Sequence, residues 1–325
     1  MTITKTNLST TLIEEAALRI EQAENILVTS HVRPDGDAIG SVLALGLSLQ
    51  AKGRQVQMVL KDGVPSRFHF LHGYDQVVKK PQGEFDLVIF LDCGDRERVG
   101  SVKGNIEHVH LNIDHHASNP LFGEINLIDS EAVAVAEMLT VLLPAFDLPI
   151  DVPVAEALLT GIITDTLGFK TPNMRPDSLR LAADLFEMGA DLPLLYDKAL
   201  TRKSFEAVSY WGAGLSHIQR DGAIVWATLS LSDRKAVGYS GRDDADLISV
   251  LSSISSISVA LIFVQQSKDQ VKVSWRSSNG MDVSQIARSF GGGGHAAAAG
   301  AIIQGNLDEV CQTVLKATKE KLMGI

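Results

Sequence analysis

Two apolar rhythms divide the chain. In the first 190 residues, ENILVTSH, RQVQMVL, FDLVIFLD and VHLNID are short, nearly continuous apolar runs that predict strands buried on both faces. TTLIEEAALRIEQAE, DAIGSVLALGLSLQAKG, SEAVAVAEMLTVLLPAF, PVAEALLTGIITDT and PDSLRLAADLFEMGA carry apolar residues at helical spacing. Gly53 marks one helix end and Pro176 one helix start. Strands alternating with helices predict an α/β domain over residues 1–190, a doubly wound and mostly parallel sheet. Residues 191–220 read as a helical linker. From residue 221 the texture changes. AIVWATLSL, SVALIFVQQ, VKVSWRSS and AIIQG predict strands, and DLISVLSSI, DVSQIARSF and LDEVCQTVLKATKEKLM predict helices, giving a smaller α/β domain over 221–325.

In an open parallel sheet, ligands bind beyond the carboxyl ends of the strands. Polar clusters fall at those ends. HVRPDGDAIGS holds His31, Asp35 and Asp37, with Gly36 letting the backbone turn sharply. Read alone, Asp37 fits a helix cap equally well. LDCGD places Asp92 directly after a strand, where a turn or cap role is common. NIDHHASNP puts Asp114, His115 and His116 after another strand, and adjacent residues there point in different directions. TGIITDTLGF ends a helix on Asp165, the unfavourable end of the helix dipole for a carboxylate. A cation would offset this, as would the hydroxyls of Thr164 and Thr166.

Together His31, Asp35, Asp37, Asp92, His115 and Asp165 offer four carboxylates and two imidazoles. Such donors without thiolate suit Mn²⁺, Mg²⁺ or Fe²⁺/Co²⁺. Six are too many for one catalytic ion with open positions and suit two ions sharing a carboxylate. Cys93 reads as a small buried residue, and two cysteines make no disulfide framework.

The four clusters, in order, resemble the motifs of the DHH phosphoesterase superfamily. The resemblance implies that His31 and Asp35 hold one ion, that Asp37, His115 and Asp165 hold the other, and that Asp92 bridges them. It implies two divalent ions, Mn²⁺ first, with Mg²⁺ or Co²⁺ as alternatives. His116 would face the substrate as general acid or phosphate contact, with His116 and Asp92 the catalytic pair, and Asp114 would orient an imidazole.

The glycine-rich stretch FGGGGHAAAAG reads either as a close-packed loop or as backbone that approaches an anion. Arg276 and Ser277 end a strand upstream, and an arginine there serves either a surface ion pair or a phosphate. These pieces resemble the DHHA1 domain and, within the superfamily, the nano-RNase/pAp phosphatase branch (NrnA-type). Arg276, Ser277, Gly291, Gly292, Gly293, Gly294 and His295 would then bind substrate, and the active site would lie in the interdomain cleft. Ala296 and Ala297 stand where that branch commonly has polar or basic residues.

The implied activity is hydrolysis of short oligoribonucleotides (nano-RNA) to mononucleotides and of 3′-phosphoadenosine 5′-phosphate (pAp) to AMP. The alternatives are a phosphodiesterase of cyclic or linear dinucleotides (c-di-AMP, pApA or pGpG) and a non-catalytic nucleotide-binding protein. A net charge of -10 argues against a partner such as long DNA or RNA. No apolar run is long enough for a membrane span, and MTITKTNLST lacks a signal pattern, so a cytoplasmic location is expected. A homodimer is compatible with the sequence.

Overall fold

The computed structural model describes residues 7–322 apart from 107 and 279; the side chains of 101–105 and of His295 also lie outside the description. The chain forms two compact units, one ending at Arg202 and the other beginning at Lys203. The expected linker is therefore shared: residues 191–202 fold with the first unit and residues 203–220 with the second.

The first unit contains α1 (Thr10–Gln22), β1 (Asn25–Thr29), α2 (Gly36–Ala51), β2 (Gln55–Val59), β3 (Leu87–Leu91), β4 (Leu111–Asp114), β5 (Ile125–Ile128), α3 (Val135–Ala145), α4 (Val152–Asp165), α5 (Pro176–Glu187) and α6 (Leu192–Tyr196). The five strands are parallel in the order β2-β1-β3-β4-β5. The order reverses between β1 and β3, which opens a crevice at their carboxyl ends. β3 is buried at every position, as its unbroken apolar run requires. β5 was not expected; it is four residues long, and too short to show a period.

The two faces of this sheet are covered differently. Ile26, Val28, Ile89, Leu91, Ile113 and Leu127 pack beneath the helices in one large core. Leu27, Val88 and Phe90 face a smaller core closed by Cys93, Val99, Ile106 and Val109 from the segment between β3 and β4. α2 and α4 approach closely through glycines: a Cβ on Gly40 would lie 2.4 Å from the Ala157 carbonyl oxygen, and one on Gly161 would lie 2.9 Å from Asp37 Oδ1. This seam brings the start of α2 against the end of α4, and so Asp37 toward Asp165.

The second unit contains α7 (Phe205–Ser216), β6 (Gln219–Asp221), β7 (Ile224–Leu229), α8 (Leu231–Val237), α9 (Leu247–Ser252), β8 (Val259–Ser267), β9 (Gln270–Ser277), α10 (Val283–Ser289), β10 (Gly293–His295), β11 (Ala298–Gln304) and α11 (Leu307–Leu322). Its mixed sheet runs β10-β11-β9-β8-β7-β6, with β7 and β8 parallel and the other pairs antiparallel. Trp275 and Phe263 anchor one face, while Ala260 and Ile262 pack on the other. Among the described residues no helix is long and apolar enough to cross a membrane.

Candidate active site

The polar clusters of the first unit meet at the reversal point of the sheet. His31 follows β1, Asp92 follows β3, and His115 and His116 follow β4. Asp37 and Asp165 come from the helix seam. Three groups of potential ligand atoms lie within 4.8 Å of one another: His31, Asp35 and Asp92; Asp37, His115 and Asp165; and Asp92, His115 and His116.

The two carboxylate oxygens of Asp92 face different imidazoles. Oδ2 lies 3.4 Å from His31 Nε2, and Oδ1 lies 3.6 Å from His115 Nε2. Asp35 Oδ2 is 3.8 Å from His31 Nε2, and Asp165 Oδ2 is 3.7 Å from His115 Nε2. Asp92 holds this central place with a φ of 52°, a left-handed backbone that costs a residue with a side chain about 1–3 kcal/mol.

The tautomers separate the histidines. His31 Nδ1 donates to the Val32 carbonyl at 2.9 Å, and His115 Nδ1 donates to the Ala132 carbonyl at 3.2 Å. In the neutral form of each ring Nε2 then carries the lone pair and faces the carboxylates, the arrangement of a metal ligand. His116 instead presents Nδ1 to this region, and that nitrogen is bonded to Asp114 Oδ1 at 2.7 Å. A nitrogen so engaged is a poor ligand. Of the pair, His115 therefore turns Nε2 toward the carboxylates, and His116 stands beside the cluster. Gly94 gives its ring room, since a Cβ there would lie 3.1 Å from His116 Cγ.

The helix-cap alternative is also resolved. Asp35 is the cap of α2, accepting from Ala38 N at 3.1 Å. Asp37 reaches the start of a different helix, α3, accepting from Val135 N at 2.7 Å and Ala136 N at 2.9 Å. A carboxylate offers about four lone-pair positions, so neither role excludes a further cation. The sharp turn expected at Gly36 is made instead at Arg33, whose φ is 56°. Gly36 is needed for packing: a Cβ there would lie 2.2 Å from Thr164 Oγ1. The Thr164 and Thr166 hydroxyls donate to backbone carbonyls of Thr160, Gly161 and Ile162 and so do not offset Asp165, whose nearby opposite partner is His115.

The electrostatics follow from this crowding. Burial, reinforced by Asp37, Asp35 and Asp165, pushes Asp92 well above the usual carboxylate range despite His115. Burial and Asp37 lift Asp165 to about 7. Burial would lower His115, yet Asp37, Asp92 and Asp165 outweigh it and raise it to about 9. Carboxylates held this way take up protons unless a cation lies among them. The oxygen and imidazole donors fit hard or borderline divalent ions. Cys93 is buried with its thiol pushed up to about 12, mainly by desolvation, and donates to the Asp95 carbonyl, so it adds no thiolate.

In the second unit, the four glycines of the GGGGH stretch have different reasons to be there. Gly291 follows α10 with a φ of 73°, and Gly294 has a φ of 141°. A Cβ on Gly292 would lie 2.2 Å from the Gly300 carbonyl oxygen, and one on Gly294 would lie 2.4 Å from that of Ala298. Gly293 has no such constraint: its φ is ordinary and a Cβ there would meet nothing within 4 Å. Arg276 is paired in register with Ala298, and its Nη1 donates to the Trp275 carbonyl at 3.3 Å. Ser277 N donates to the Ala297 carbonyl at 2.9 Å. His295 lies in β10, but its expected contact with substrate rests on a side chain outside the description.

One residue of the first cluster carried no expected role. Asn119 Nδ2 donates to Asp114 Oδ2 at 2.6 Å, opposite the oxygen that holds His116. Its signal in the sequence is weak, because an asparagine before a proline reads as a turn.

Comparison with known proteins agrees with this geometry. Residues 25–162 match the model of the DHH family N-terminal domain, and residues 235–322 match the DHHA1 domain. A bifunctional oligoribonuclease and PAP phosphatase NrnA of Thermus thermophilus is 35% identical over 91% of this chain and 90% of that protein. A Mycoplasma genitalium protein of the same name is 26% identical over 95% of this chain and 97% of its own length. The crystal structure of an exopolyphosphatase-related protein from Bacteroides fragilis superposes with a TM-score of 0.91 at 22% identity, over 98% of this chain and 99% of that one, and so shares its fold. The chain belongs to the DHH family of phosphoesterases.

Proposed function

We propose that this phosphoesterase hydrolyses short oligoribonucleotides to mononucleotides and pAp to AMP in the cytoplasm, with two divalent ions, Mn²⁺ first. The observation that carries the two-ion reading is the division of Asp92, one oxygen toward His31 and the other toward His115. His31 and Asp35 would hold one ion and Asp37, His115 and Asp165 the other, with Asp92 shared. When bound, such ions neutralise phosphoryl oxygens and activate water for attack on phosphorus. His116, oriented by Asp114, contacts the scissile phosphate and protonates the leaving oxygen. In the second unit, Arg276 and Ser277 grip a phosphate, with His295 beside them. Gly293 lets the substrate approach the backbone, which accounts for a glycine that packing does not require. The relatives' names support the same substrate class.

The test is turnover of pAp, di- and trinucleotides, pGpG and c-di-AMP, each with Mn²⁺ and with Mg²⁺. Turnover of pAp and short oligonucleotides, fastest with Mn²⁺, is expected. Preferential cleavage of c-di-AMP would move the assignment to a cyclic-dinucleotide phosphodiesterase.

A further inference from the structure

A chain of three asparagine side chains runs from β5 to the His116 imidazole. Asn126 and Asn112 are cross-strand partners on β5 and β4. Asn112 Nδ2 donates to Asn126 Oδ1 and to Asn119 Oδ1, both at 3.1 Å. Asn119 Nδ2 donates to Asp114 Oδ2 at 2.6 Å and to the Cys93 carbonyl at 3.3 Å. Asp114 Oδ1 accepts from His115 N at 2.9 Å and from His116 Nδ1 at 2.7 Å.

The direction of this chain is forced. An amide has one acceptor end and one donor end. Asn119 Oδ1 is occupied by Asn112 Nδ2 and by Leu121 N at 2.9 Å, so its donor end must face Asp114. A reversed Asn119 would set its oxygen against a buried carboxylate. Asn112 is completely buried, and among the described residues its own Oδ1 has no partner. A leucine matches the amide in branching and would leave no orphaned carbonyl, but it could not donate to Asn119. What the amide supplies is the orientation of Asn119.

We infer that Asn119, held by Asn112, is a positioning residue: it fixes the Asp114 carboxylate and so keeps the His116 ring in one orientation, with Nδ1–H on Asp114 and Nε2 left to carry the proton that is delivered to the leaving oxygen. The inference rests on the role proposed above for His116 and extends it to residues that touch neither substrate nor metal ligands' ring nitrogens.

The experiment uses full-length protein, Mg²⁺-loaded, with ¹⁵N-labelled histidine rings, together with steady-state kinetics on pAp. Wild type should show a single His116 ring state with Nδ1 protonated and bonded to Asp114. Asn119→Ala should give mixed or shifted His116 ring signals and lower kcat by about 10- to 100-fold with KM and metal content little changed. Asn112→Leu, which keeps the branching but removes the amide, should change the same signals with a smaller loss, and serves if Asn119→Ala does not fold. In a His116→Ala background, Asn119→Ala should cost less than about 2-fold, because it acts through the missing ring. Unchanged His116 signals in Asn112→Leu and Asn119→Ala, or a full loss persisting without His116, would overturn the inference. Full turnover by His116→Ala would instead remove the proposed role of His116, while the tautomer readout would still judge the asparagines.

Discussion

The acidic and imidazole cluster of the first unit and the glycine hairpin of the second are built by opposite means. In the cluster, charged side chains are concentrated, buried and tied to several partners each. Asp37 caps a neighbouring helix, and Asp92 sits in a left-handed conformation between two imidazoles. In the hairpin, side chains are withheld. Three of its glycines satisfy backbone angle or packing, and Gly293 satisfies neither. A cluster of like charges stores repulsion that a ligand relieves; a bare strand stores room that a ligand fills. Damage to the first should therefore affect metal, chemistry and stability together. Damage at the right place in the second should affect only the substrate.

The largest effect is expected at Asp92, proposed above as the shared ligand. Asp92→Ala should abolish hydrolysis and lower metal content, read by turnover at saturating Mn²⁺ and by elemental analysis, whereas Cys93→Ser beside it should stay active. Near-normal turnover of Asp92→Ala would end the two-ion assignment.

The adjacent histidines split the cluster further. His115→Ala should lose metal occupancy. His116→Ala should keep its metal and lose about 10²- to 10⁴-fold in kcat, the span of a general acid. Metal loss confined to His116→Ala would reverse the two roles.

On the hairpin side, Arg276→Ala should lower kcat/KM on pAp and dinucleotides by about 10- to 150-fold, the loss of a charge-assisted phosphate contact. Hydrolysis of bis-p-nitrophenyl phosphate should barely change. Equal losses on all three substrates would make Arg276 a structural residue.

The sharpest form of the comparison is a pair of glycines one residue apart. Gly294→Ala should destabilise the protein by about 1–3 kcal/mol through backbone strain and contact with Ala298. Gly293→Ala should leave the melting temperature nearly unchanged yet weaken nucleotide turnover several-fold. An unaffected kcat/KM in that variant would show that Gly293 admits no ligand.

The smallest effect is one of pH on the chelated protein. Asp165 is raised to about 7 and His115 to about 9 in the folded state. Both bind protons more tightly folded than unfolded, so the stability they contribute is present at low pH and is lost as pH rises. The melting temperature should fall between about pH 4 and 9 from these groups, and added Mn²⁺ should flatten that slope. A slope that is equally steep with Mn²⁺ would place the titration elsewhere.

The sequence by itself determined the strands other than the short β5, β6 and β10, the main helices and the identity of the charged residues at the strand ends. Continuous apolar runs such as FDLVIFL can only be buried, and a polar residue at the end of such a run must lie at the rim of the sheet. Spacing within single motifs also brought His31 near Asp35 and placed His115 beside His116. Tertiary structure decided what these residues do for one another. The division of Asp92 between two imidazoles depends on β1, β3 and β4 lying side by side, and no local pattern specifies that strand order. Asp37 caps α3 because Gly40 and Gly161, 117 and 124 residues from their contacts Ala157 and Asp37, let helices close up, while the tautomers of His31 and His115 depend on carbonyls supplied by folded loops. The same holds for Asn112, which reads in the sequence as one more strand residue. Its partners come from β5 and from the loop after His116, so its direction of hydrogen bonding exists only once the sheet has formed.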